Sequence, residues 1–264
     1  MSRKEALKHL LGQSGLRVAR LVRDTFRAWR YEWREAAPIV PEGDPPVPPA
    51  RLVFRAAGTF DRQWFLDGGL RAAQAIRGTL AEHGVGVEAL SSVLDFGCGC
   101  GRVIRHWQDL PAEIHGCDQD AAAVRWCSRN LRRACFAVNT IEPPLPYRNE
   151  QFELVYALSV FTHLPERLQQ GWMDELRRVL APGGYLLLSL HGVAYRDVLS
   201  DDERKDFLAG RLVVRDGPPG SNLCAAYHPE QYVREVLAAD FSVLDLVVEG
   251  ATGNPRQDLL LLRK

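Results

Sequence analysis

The sequence predicts an α/β protein: a sheet with helices on both faces, preceded by an N-terminal helical arm. Three observations predict it. From about residue 60 the chain alternates helical and strand patterns at the spacing of βαβ units. Tyr185–Leu190 is an unbroken apolar run, as expected of a strand buried on both faces. A proline-rich stretch, Pro38 to Pro49, cannot be helical and separates the alternating region from what precedes it.

Residues 1–37 form the arm. Val18, Val22, Phe26, Trp29 and Trp33 recur every three or four residues, while Arg20, Arg23, Arg27, Arg30 and Arg34 occupy other faces. Residues 38–50 read as a semi-stiff linker, and residues 51–264 as the main domain. Within it a helix is expected over 60–83, a strand at Ser92–Phe96, a helix over 102–109 and a strand at Glu113–Cys117. A helix over 120–132 follows, then strands near 134–138 and 152–158. A helix over 166–180 stops at Ala181-Pro182-Gly183-Gly184 and hands over to Tyr185–Leu190. Polar residues, Gly and Pro break the rhythm over 192–228, which is expected to be irregular; a helix over 229–239 and strands 241–249 and 257–263 close the chain.

Composition excludes some functions. Among 264 residues, 33 Lys+Arg balance 33 Asp+Glu, so no global field points to nucleic acid. The balance hides a split, because residues 1–37 hold nine basic side chains against four acidic ones, leaving about +5 on the arm and about −5 on the rest. The six cysteines include no C-x-x-C pair and no matching His spacing, so no metal site is expected and reduced, buried thiols are. No apolar run reaches the ~20 residues of a membrane span, and no signal peptide is legible. A cytoplasmic location is therefore expected.

The chemistry-bearing motif is Val93-Leu94-Asp95-Phe96-Gly97-Cys98-Gly99-Cys100-Gly101. A strand runs into glycine at every second position, so the backbone can turn sharply and approach a ligand without Cβ interference. A dinucleotide fingerprint starting at Gly97 needs its third glycine where Arg102 stands. One βα unit later, Asp118 ends the second strand, where a carboxylate can accept from two ribose hydroxyls. Its plainer reading is a helix N-cap, for which Asp120 competes.

With these residues the chain resembles a class I S-adenosylmethionine-dependent methyltransferase from about residue 58 to its C-terminus. Two further stretches carry the resemblance: Pro144-Leu145-Pro146-Tyr147 with Gln151-Phe152-Glu153-Leu154-Val155-Tyr156, and Glu175-Leu176-Arg177-Arg178-Val179-Leu180-Ala181-Pro182-Gly183-Gly184-Tyr185. Glu153 stands where the family commonly has Asp. The resemblance implies a Rossmann-like, seven-stranded, mostly parallel sheet whose last hairpin supplies one antiparallel strand. It implies S-adenosylmethionine as cofactor, with Asp95 holding the methionine ammonium and Phe96, Gly97, Cys98, Gly99 and Gly101 beside the methionine moiety. Asp118 and Gln119 fall at the ribose, and Asn139 or Thr140 near the adenine edge. Trp64 and Phe65 resemble the segment that covers the cofactor, although aromatic residues at this spacing are also ordinary core. Arg102 either approaches the cofactor carboxylate or is a solvated helix residue.

Methyl transfer is then an in-line displacement toward an O or N acceptor on a small molecule or glycan. Proton removal from that acceptor would fall to His163 after the fourth strand, His191 at the end of the fifth or His228 before the 229–239 helix; helix capping is the plainer alternative for His163 and His228. The 192–228 insertion reads as a substrate lid. The arm suits docking on its own chain, a peripheral membrane surface or self-association; nucleic acid is not expected. Two rival readings stay open: a catalytically silent cofactor-binding subunit and an NAD-dependent oxidoreductase.

Overall fold

A computed structural model describes Arg27, Arg30, Tyr31 and residues 40–264. The apolar stripe proposed for the arm lies outside the described residues. The chain divides into two compact units, Met1–Phe65 and Leu66–Lys264.

In the first unit, Arg27, Arg30 and Tyr31 are helical, residues 40–49 contain no helix, and α1 spans Ala50–Ala57. Gly58 ends α1 in the left-handed region, donating to the Phe54 carbonyl (2.8 Å). Phe54 and Phe60 stack at 4.3 Å, with the Arg27 guanidinium 5.3 Å from the Phe60 ring. Asp61 caps the next helix, α2 (Arg62–Glu82), by accepting from the Trp64 N–H (2.9 Å). Phe65 is fully buried and Trp64 half-buried.

The second unit contains a seven-stranded sheet: β1 (Ser92–Phe96), β2 (Glu113–Asp118), β3 (Ala134–Val138), β4 (Phe152–Ala157), β5 (Leu180–Leu190), β8 (Ser242–Val247) and β9 (Asp258–Arg263). Their order is β3-β2-β1-β4-β5-β9-β8, and β9 is the one strand of this sheet that runs antiparallel to the other six. Alternating side chains build two cores. Leu94, Val155, Leu260 and Leu262 face α4 (Glu166–Val179), whose Trp172 and Leu176 are fully buried. Val93, Leu154, Leu259 and Leu261 face Ile76 and Leu80 of α2 on the other side. Strand order reverses between β1 and β4, and open α/β sheets bind ligands at the carboxyl ends of strands beside such a reversal.

Three expectations need correction. No α-helix forms over 102–109; a single 3-10 turn spans Ile104–His106. Gly99 and Gly101 both adopt positive φ, so helical winding starts late, and His106 and Trp107 make i→i−3 bonds before Pro111. The 229–239 helix is shorter: α6 begins at Glu230–Tyr232 and widens into a π-turn over Val233–Leu237, where Ala238 N–H bonds the Val233 carbonyl (2.9 Å).

The insertion is not irregular either. It holds a 3-10 segment (Val193–Val198), α5 (Asp201–Leu208) and a hairpin of β6 (Val213–Arg215) with β7 (Ala225–Tyr227). Ser200 and Glu203 form a capping box at α5, the S-x-x-E signature legible in Ser200-Asp201-Asp202-Glu203. Among the described residues no helix is long and apolar enough to cross a membrane.

Candidate active site

The glycine loop leaves β1 and folds back over the end of β2. Gly97 and Cys98 N–H groups both donate to the Cys117 carbonyl (2.8 and 3.0 Å). Gly97 has φ +80°, and a Cβ there would stand 2.4 Å from Val160 Cγ2; at Gly101, φ +75°, it would meet Leu131 Cδ1 at 2.3 Å. Both positions demand glycine for backbone conformation and for space. Phe96 points into the core against Trp172 (4.5 Å), so only its backbone reaches the loop side. Cys98 is buried, with Sγ toward the Gly99 carbonyl (3.6 Å).

Asp118 is tied to this loop. Its Oδ2 accepts from Gly99 N–H (2.8 Å) and its Oδ1 from Asp120 N–H (2.7 Å). The capping role belongs to Asp120, which accepts from Ala122 and Ala123 N–H at the start of α3 (Ala121–Asn130). Asn139 follows β3, and its Oδ1 is buried without a hydrogen-bond partner while Nδ2 donates to the Thr140 carbonyl (2.7 Å). Thr140 is exposed, its hydroxyl donating to the Glu142 carbonyl.

Asp95 is 4% exposed. Burial pushes its carboxyl up to about 7, against the opposing influence of a Tyr156 hydrogen bond and the Arg102 charge. The Trp107 indole N–H donates to the Tyr156 hydroxyl (2.9 Å), which donates to Asp95 Oδ2 (3.0 Å). Because the indole can only donate, it directs the phenolic proton onto Asp95. Asp95 and Tyr156 are opposite each other in the β1–β4 ladder. Arg102 is not a solvated residue: it donates to the Gly253 carbonyl (2.7 Å) and to Asn254 Oδ1 (2.6 Å), on the loop between β8 and β9. Glu153, the departure from the family pattern, accepts from Ser91 N–H (2.6 Å).

Beyond β4, His163 Nδ1 lies 2.8 Å from the Cys224 carbonyl of the insertion. A carbonyl only accepts, so Nδ1 carries the proton and Nε2 holds the lone pair. Burial lowers the His163 pKa, which keeps the ring neutral at pH 7. His191 stands edge-on to it (6.2 Å) and packs in a cluster with Tyr195 (4.2 Å) and Tyr227 (5.3 Å). Burial and the neighbouring His163 push His191 down to about 4. The insertion also reaches the residues just after β2, since Gln119 Nε2 donates to the Gly220 carbonyl (3.0 Å) and Gly220 N–H to the His163 carbonyl (2.8 Å). His228, 2% exposed, donates its backbone N–H to the His191 carbonyl (2.8 Å), while its ring Nε2 is held to Gln169 Oε1 (3.2 Å).

Nothing local in the sequence marks Tyr156, Trp107, Asn254 or Cys224 for a role at the site. A further buried group was missed too: Ser159, at φ +59°, donates its N–H to Ser189 Oγ (2.7 Å), and Ser189 donates to Gln257 Oε1 (2.7 Å). None has a local motif; each becomes visible only through strand register or a contact distant in sequence.

Residues 94–188 match the family described as "Methyltransferase domain". Among curated proteins, the chain is 30% identical to sterol 24-C-methyltransferase erg6 of Schizosaccharomyces pombe over 51% of its own length and 36% of that enzyme's. It is 31% identical to the probable tRNA methyltransferase 9B of Homo sapiens over 37% of this chain and 21% of that one. The chain thus spans well under half the length of these relatives. In fold it is similar to a SAM-dependent methyltransferase of Methanosarcina mazei, with TM-score 0.53 at 22% identity, covering 70% of this chain and 96% of that one.

Proposed function

We propose that this chain, which carries an S-adenosylmethionine-dependent methyltransferase domain of class I fold, methylates an oxygen or nitrogen of a small molecule or glycan. The observation that carries the reading is the glycine loop clamped to Asp118 beside buried Asp95. Bound there, S-adenosylmethionine supplies a methyl carbon on a cationic sulfur, with a neutral thioether as leaving group. The residues present fit it. Ionised Asp95 would hold the ammonium group, Asp118 and Gln119 the ribose, and the unpartnered Asn139 Oδ1 an adenine amino proton. Gly97, Gly99 and Gly101, with Cys98, would line the methionine through backbone, as would the backbone of Phe96; Thr140 would flank the adenine.

Of the three histidines, His163 is the group we assign as general base. It is neutral, its proton is fixed on Nδ1 by Cys224, and its ring is only half-buried. Its Nε2 would take the acceptor's proton as the new bond to carbon forms. His191 braces His163 edge-on, whereas the His228 ring is turned to Gln169. Residues 192–228 would close over the acceptor, a role supported by the Gly220 and Cys224 contacts. The sterol and tRNA named in the relatives' descriptions differ too much to pass on an acceptor. Residues 1–37 and the 38–50 linker would be an appendage to the 51–264 domain acting in the cytoplasm. Ring contacts of Arg27 and Tyr31 with Phe60 favour an arm that packs on its own chain over one serving a membrane surface or self-association.

The test is S-adenosylhomocysteine titration together with donor-dependent mass detection of methylated metabolites and glycans. Asp95→Ala should lose both binding and product. His163→Ala should bind normally and lose about 10²–10⁴-fold in turnover. Asp95→Ala retaining both signals would overturn the donor assignment, and full turnover by His163→Ala would overturn the base.

A further inference from the structure

A cavity of about 310 Å³ lies between the insertion and the β5–β9–β8 side of the sheet. Leu190, Val193, Arg196, Leu208, His228 and Leu246 are among its lining residues, and neither the glycine loop nor Asp118, Asn139 or His163 is. Its size matches the lower end of small-molecule sites, and its walls combine apolar surface with an unpaired cation and a buried, unsatisfied acceptor.

The first polar group is Arg196, exposed and without an ion pair or hydrogen bond among the described residues. The carboxylate next to it in sequence and the two on the cavity wall are already engaged. Asp197 pairs with Arg256, Glu230 with Arg234 (2.8 Å), and Asp258 accepts from Glu249 N–H (3.0 Å). Burial also pushes the Asp258 carboxyl up, toward its neutral form.

The second is His228. Gln169 donates its amide to the Leu164 carbonyl (3.0 Å), so its oxygen faces His228 Nε2, which must carry the ring proton. Nδ1 is then a pure acceptor, and it is buried with no partner. An acceptor in that state is costly unless something donates to it. Val193, Leu208 and Val248 are exposed at 37%, 65% and 54%, a concentration of apolar surface at one cavity that isolated surface residues do not explain.

We infer that this cavity binds an amphipathic anion: a carboxylate or phosphate on Arg196, an apolar body against Val193, Leu208 and Leu246, and a hydroxyl or N–H donating to His228 Nδ1. The site is independent of the donor site, so its ligand is either an arm of the methyl acceptor or a separate molecule of the same chemistry.

The experiment is calorimetric titration of the full chain with octanoate, octyl phosphate, 8-hydroxyoctanoate and octylammonium, with S-adenosylhomocysteine binding measured in parallel. Both anions should bind saturably at one equivalent, 8-hydroxyoctanoate more tightly than octanoate, and octylammonium at least tenfold more weakly. Arg196→Ala and the exposed change Leu208→Asp should each weaken the anions about tenfold while S-adenosylhomocysteine binding stays unchanged. Methylation of 8-hydroxyoctanoate by the donor would assign the cavity to the acceptor; binding without methylation would assign it to a separate ligand, and both support the site. Absence of saturable binding, or binding that survives both substitutions, overturns it. Loss of S-adenosylhomocysteine binding in the wild type would instead count against the methyltransfer reading alone.

Discussion

Replacing Tyr156 with Phe removes one oxygen and tests how the fold prepares Asp95. In the wild type the carboxyl sits at about 7, with the Tyr156 hydroxyl first among the influences that hold it down. A hydrogen bond to a charged group is worth about 1.5–3 kcal/mol, and each pH unit corresponds to about 1.4 kcal/mol. Its loss should therefore raise the Asp95 midpoint by about 1–2 pH units. The donor's ammonium binds the ionised form, so affinity follows the ionised fraction and rises with pH. At pH 7.5 that fraction falls from roughly three-quarters to between roughly a quarter and 3%, so S-adenosylhomocysteine should bind about 3- to 25-fold more weakly. By pH 8.5 the deficit should shrink to about 1.3- to 4-fold.

Titration calorimetry from pH 5.5 to 8.5 measures this, with thermal unfolding as a control for the Trp107 N–H left unpaired. Wild-type affinity that is flat across this range would refute the reasoning. So would a Tyr156→Phe deficit that does not close as pH rises.

Three other outcomes follow from the same geometry. Asp95 is raised from 3.8 unfolded to about 7 folded, so the native state binds the extra proton between these values and its stability falls as pH rises through them. Asp95→Asn should therefore stabilise the unliganded protein by about 1–4 kcal/mol at pH 8 and not below pH 4, read by thermal unfolding, while abolishing donor binding. Gly97→Ala forces a Cβ 2.4 Å from Val160 Cγ2 at positive φ; donor affinity should collapse and recover in part with Val160→Ala, which relieves the clash but leaves the strain. Ser200→Ala should cost about 1 kcal/mol, seen as faster amide exchange across Asp201–Leu208 with no change at the glycine loop; loss of protection in β1 would contradict this local assignment.

The sequence by itself determined the α/β class, the five parallel strands before the insertion and the place of the glycine loop. These are local properties: an apolar run, a glycine spacing and an Asp at a strand end are all written within a few residues. It also holds the α5 capping box in Ser200–Glu203, a local signal masked by the polar residues, Gly and Pro of the insertion. Local pattern failed at 102–109, where helical propensity met two left-handed glycines and a downstream proline.

Tertiary structure alone decided the rest of the site. Asp95 meets Tyr156 because β4 pairs with β1 in one register, and a shift by a single residue would turn Tyr156 to the other core. The tautomer of His163 depends on a carbonyl 61 residues away, and Arg102 is held by a loop 151 residues away. Charge state and proton position are set by burial and by partners across the fold, and neither quantity has a period along the chain.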